Sequence, residues 1–261
     1  MMLKDKVAVI YGAGGAIGGA VARAFAAEGA KVFPTGRSLA SVEPVAKEIA
    51  WAGGYGEAAE VDALNEQAID QHLESVIDKA GRVDISFNAI GVQNAKILGA
   101  PFAKLDAAQF SLPIAAYTTS YFLTARLAAR RMVANKSGVI MTVTALPARM
   151  GTPLNGGYGP ASAAKEALTR DLSLEFAPQG IRVVGLRPHG MPETSTMKEI
   201  FDVKATGMTW EKFQEYLAST THRRRVMALE EVANMAVFMA SDRASGMTGT
   251  TVNLTMGGAA D

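Results

Sequence analysis

The spacing of apolar positions along the chain switches repeatedly between a strand-like and a helix-like period. Residues 7–11 are an unbroken apolar run and predict a strand over 6–11. In residues 16–28, Ile17, Ala20, Val21, Ala24 and Phe25 fall on one helical face, and Gly29 closes that helix. The same reading predicts further strands over 31–35, 57–61, 83–88, 138–144 and 181–186. Helices are expected over 39–51, 65–80, 106–135, 160–177 and 229–240. Repeated strand-then-helix units need right-handed crossovers, which build a parallel sheet covered on both faces. The expected fold class is therefore α/β: a single doubly wound domain over 1–261 with a mainly parallel sheet of about seven strands. The alternation lapses over 194–221, where two polar helical stretches follow the sixth strand. An insertion there lies past a strand's carboxyl end, where open α/β sheets bind ligands, and is read as a substrate lid.

Composition narrows the function classes. The 261 residues hold 26 Lys+Arg against 25 Asp+Glu, a formal net charge of +1, so neither nucleic acid nor an anionic membrane is an expected partner. The run His222-Arg223-Arg224-Arg225 reads as a solvated corner or subunit contact. With no Cys there is no thiolate nucleophile and no Cys-based metal site, and His72, His189 and His222 lack metal-ligand spacing. No metal is expected. The apolar run near the start is too short for a leader, and the uncharged stretch 107–125 carries too many polar groups to span a bilayer. A cytoplasmic protein is expected.

The chemistry starts at Tyr11-Gly12-Ala13-Gly14-Gly15-Ala16-Ile17-Gly18, which follows a strand and opens a helix. Gly12, Gly14, Gly15 and Gly18 permit close backbone approach, and with Ile17 they place helix-start N–H groups where a pyrophosphate would sit. The second strand ends in Thr35-Gly36-Arg37-Ser38, with no carboxylate to take a ribose 2′-hydroxyl. A guanidinium at Arg37 suits a 2′-phosphate instead, so the expected cofactor is NADP(H) rather than NAD(H).

With these residues in place, the chain resembles the short-chain dehydrogenase/reductase family nearly end to end, which implies a Rossmann-like fold. Ala16 stands where that family's turn usually has its middle glycine. The resemblance implies adenine contacts at Asp62 and its neighbour Ala63. Asn88-Ala89-Ile90-Gly91 is similar to the family's Asn-Asn-Ala-Gly motif at its ends, implying cofactor contacts at Asn88, Ala89 and Gly91. Pro188, Gly190 and Thr194 resemble the segment that passes the nicotinamide.

Family members reduce a carbonyl, or oxidise an alcohol, with Ser, Tyr and Lys plus a helix Asn. Here the Tyr–Lys pair is Tyr158 and Lys165, seven apart, with Ala161 at the usual tyrosine spacing. Gly159-Pro160 predicts a helix start that leaves Tyr158 in the preceding loop. The enoyl-reductase branch of the family does use the longer spacing. Ala145 aligns with the usual serine and Thr144 precedes it, so Thr144 would serve only if the strand end bends. The helix Asn is absent, with Ala116 near its place and Tyr117 and Tyr121 as other hydroxyls. The implied function is NADPH-dependent reduction of a carbonyl on an apolar small molecule. Enoyl reduction, or a catalytically impaired NADP(H)-binding sensor or subunit, are the alternatives. The resemblance also implies a homotetramer or homodimer.

Overall fold

A computed structural model describes residues 1–205 and 207–260; residue 206, inside the expected lid, and residue 261 lie outside the described residues. Strands β1 (Val7–Tyr11), β2 (Lys31–Gly36), β3 (Tyr55–Gly56), β4 (Ala59–Glu60), β5 (Ile85–Asn88), β6 (Gly138–Val143), β7 (Ile181–Pro188) and β8 (Thr250–Leu254) form one sheet. Its order is β3-β2-β1-β5-β6-β7-β8, with β4 also on β2, and every pairing is parallel. The order reverses beside β1, between β2 and β5, which opens a crevice at the carboxyl ends of those strands.

Alternation along β1 shows how the sheet serves two layers. Ala8 and Ile10 face a core shared with α1 (Ala16–Ala27), α2 (Leu39–Trp51) and α8 (Leu229–Ala240). Val7, Val9 and Tyr11 face the other core, built on α3 (Glu66–Ala80), α4 (Ala107–Met132) and α5 (Tyr158–Phe176). Because both faces are covered, the strands read as continuous apolar runs. Helices α6 (Ser195–Lys204) and α7 (Trp210–Ser219) occupy the segment where the alternation lapses. Among the described residues no helix is long and apolar enough to cross a membrane.

Three of the boundaries that move have a clear local cause. The strand expected over 57–61 is instead the two short pieces β3 and β4. Val32 and Gly36 both accept bonds from this edge, through Glu57 N and Val61 N at 3.1 and 2.8 Å. Pro34 lies between them, faces the same edge and has no N–H to give, so the ladder breaks there. Helix α5 starts at Tyr158, not 160, because Pro160 falls in a first turn whose N–H groups have no helical partner anyway. Strand β7 runs on to Pro188 through its pairing with β8.

Candidate active site

The glycine turn closes over the end of β1. Gly12 and Ala13 donate to the Thr35 carbonyl at 2.9 and 3.0 Å, tying the turn to β2. Gly12 has φ +80°, and a Cβ there would stand 2.6 Å from the Ala89 carbonyl oxygen. A side chain at Gly18 would run into the Gly12 carbonyl. Gly15 caps α1 with no side-chain bond, which leaves first-turn N–H groups for an outside acceptor. This uncapped cradle fits a diphosphate.

Around it lies a cleft of about 1010 Å³. Gly12, Gly14, Gly15, Ile17, Gly18, Arg37, Asp62, Ala63, Ala89, Gly91, Thr144, Tyr158, Lys165, Pro188, Gly190 and Thr194 all line it. Arg37 is exposed just past β2 and has no ion pair among the described residues. Beside it, Glu60 of β4 accepts from Leu39 N at 3.2 Å, at the start of α2. Asp62 accepts from Leu64 N at 3.0 Å. Thr194 caps α6, taking a bond from Met197 N at 3.2 Å.

Asn88 is the expected cofactor residue that turns away. It is buried, donates to Thr124 Oγ1 at 3.2 Å and accepts from Ile90 N at 3.4 Å. Its side chain shapes the 89–91 loop from beneath, because the space under that loop is filled by α4.

Tyr158 opens α5, and its N–H donates to the Asn155 carbonyl at 3.1 Å. Seven residues are nearly two turns, so Tyr158 and Lys165 share a helical face about 10 Å apart along the axis. Burial pushes the Tyr158 phenol above its ordinary range, with Tyr117 adding to the effect. The two rings meet edge to face, centroids 6.0 Å apart. Lys165 is 2% exposed and donates to the Val143 carbonyl at 2.8 Å. Its ammonium also lies 5.8 and 5.7 Å from the ring centres of Tyr117 and Tyr121. With no carboxylate bound to it among the described residues, burial pulls its pKa down to about 7.

The remaining hydroxyls divide. Tyr121 is fully buried and bonded to Thr169 Oγ1 at 3.0 Å, a packing role. Tyr117 lines the cleft and accepts from Val92 N at 3.2 Å. The Thr144 hydroxyl is directed to Glu166 Oε1 and the Leu186 carbonyl, at 3.2 and 3.3 Å. Glu166 is itself gripped by Arg187 Nε at 2.7 Å and Arg149 Nε at 2.9 Å. Sequence reading passed over this network, although a Glu after Lys165 and an Arg inside an apolar strand are both out of place in a core. It also missed Asn155 and Lys204, which line the same cleft.

The family model described as Enoyl-(Acyl carrier protein) reductase matches residues 12–258. The chain is 29% identical over 258 residues to 7alpha-hydroxysteroid dehydrogenase of Escherichia coli, covering 99% of this chain and 96% of that one. Among solved structures, NAD+-bound xylitol dehydrogenase superposes with a TM-score of 0.90 at 24% identity, over 97% of this chain and 98% of that one. Actinorhodin polyketide ketoreductase with NADPH gives 0.88 at 22% identity, over 97% of each. Both share the fold. The chain belongs to the short-chain dehydrogenase/reductase family and is an NAD(P)-dependent oxidoreductase.

Proposed function

We propose that the protein is an NADPH-dependent reductase of a carbonyl group on an apolar small molecule. The observation that carries this reading is the placement of Tyr158 and Lys165, two turns apart on α5, in the cleft that the glycine turn opens. The turn over 12–18 would hold the pyrophosphate, and Arg37 the 2′-phosphate. The bound nicotinamide supplies the reducing equivalent. Tyr158 gives the proton: burial holds its phenol in the acid form, ready to donate to an oxygen that gains charge. Lys165, whose ammonium donates to the Val143 carbonyl on the same side of α5, would orient the ribose and supply positive charge to the site. Leu112, Val92, Leu146, Met150 and Met191 give the cleft apolar walls that exclude water. Helices α6 and α7, in the segment 194–221, act as the lid. Exposed Phe122 of α4 and Leu174 of α5 support a homo-oligomer joined through these helices.

The seven-residue spacing favours one other reading, reduction of an enoyl double bond. NADPH oxidation across ketones, quinones and enoyl thioesters tests both. Turnover on ketones is expected, falling at least about a hundredfold in Tyr158→Phe while NADPH affinity stays within about twofold. Turnover confined to enoyl thioesters selects the second reading. Full activity in Tyr158→Phe removes this tyrosine as the proton donor.

A further inference from the structure

The cleft is richer in positive charge than its cofactor needs. Arg37, Lys96, Lys165 and Lys204 line it, and among the described residues Asp62 is its one carboxylate, at the glycine-turn end. Arg37 and Lys165 have work in the proposed cofactor site. Lys204, the last residue of α6, is half-buried at the opposite end.

Its ammonium donates to Asn155 Oδ1 at 2.6 Å and to the Pro153 carbonyl at 3.0 Å. Both acceptors are neutral, and a third N–H remains. Burial without a counter-charge pulls the Lys204 pKa down to about 8. The nearby Glu199 carboxylate is turned to Asn94, taking its backbone N–H at 3.1 Å and its amide at 3.3 Å. Asn155 is 7% exposed, and its Nδ2 has no hydrogen-bond partner among the described residues. Its orientation is fixed chemically, since the oxygen must face the ammonium. Among the described residues, a buried amide donor without an acceptor and a cation without an anion therefore sit side by side in the cleft wall. Each is costly alone, and one group would satisfy both.

We infer that Lys204 and Asn155 form a subsite for an anionic group, and that the substrate is an apolar molecule carrying a carboxylate or an equivalent anion. The inference rests on the reading of the cleft as a reductase site and names the substrate class for it. The anion would take the third N–H of Lys204, and a small shift of the wall would uncover the buried amide N–H of Asn155 to it. Because Asn155 also holds Tyr158 N through its carbonyl, the subsite is linked to the start of α5.

Calorimetry with octanoate and 1-octanol, on the free protein and the NADPH-saturated protein, tests this. Octanoate should bind at least tenfold more tightly than the alcohol. Lys204→Gln should erase that gap while changing 1-octanol affinity less than twofold, and Lys204→Arg should keep most of it. Asn155→Ala should narrow it. A lysine that only ties α6 to residues 153–155 would shift both ligands together. No preference for octanoate, no octanoate binding, or a preference that survives Lys204→Gln overturns the inference. Failure of NADPH to bind, with octanoate selectivity intact, would instead count against the proposed reductase.

Discussion

The two ends of the cleft are built differently. At the cofactor end, α1 buries Gly18, Gly19, Val21, Ala22, Phe25 and Ala26 against the sheet, and Gly12, Gly14 and Gly18 of the turn have no room for a Cβ. At the opposite end, α6 buries no residue and α7 buries Phe213 alone, among the described residues. That end is held by an aromatic cluster of Phe201, Trp210 and Phe213 and by polar ties that include Asn94 to Glu199, Lys204 to Asn155 and Thr220 to His189. Packing fixes the first region, so it can be broken but hardly tuned. The second has few buried side chains, so it should open at a lower cost than the first, as the proposed lid requires.

Substitution should expose this contrast. Gly12→Val forces a β-branched residue to φ +80° and into the Ala89 carbonyl. It should destabilise the fold by about 3 kcal/mol or more and abolish NADPH binding, read by thermal melting and fluorescence titration. Retained cofactor affinity would mean that the turn is not the cradle described.

Lys165 gives a middle-sized effect that depends on pH. Its native pKa of about 7 lies below the ordinary 10.5, so between those values the unfolded chain binds the proton and the native protein does not. Stability of the cofactor-free protein should therefore rise with pH across that window and lose this dependence below about pH 7. In Lys165→Met the rise should shrink to the part that Lys204, held at about 8, still contributes. Parallel melting-temperature profiles for the two proteins would show that the ammonium is not desolvated.

The smallest change is expected at the lid. Asn94→Ala removes the side-chain donor to Glu199 and to the Thr196 carbonyl. The melting temperature should move by only about 2 °C, while limited proteolysis within 195–219 accelerates several-fold. A large loss of global stability would place α6 within the cooperative core.

Much of this organisation is visible in the chain before folding. The sheet and the glycine turn follow from period and local conformation, and their residues are adjacent in sequence. Elsewhere the deciding neighbour is distant. Pro34 splits the edge strand because of which way one missing N–H points. Asn88 shares its motif position with residues that face the cleft, but Thr124 of α4 claims its amide. Thr144 is spent on Glu166, which the crossover from β6 to β7 brings between Arg149 and Arg187. Lys204 meets Asn155 only because α6 folds back across the cleft mouth. No spacing rule along the chain encodes these meetings.

In the proposed function, the turn after β1 and the cation after β2 together hold a 2′-phosphorylated dinucleotide. Titrating NADPH and NADH into the purified protein and into Arg37→Glu tests it directly. At least about a tenfold preference for NADPH is expected, with Arg37→Glu losing most of its NADPH affinity and little of its NADH affinity. Equal losses for both cofactors, or no preference to begin with, would contradict it.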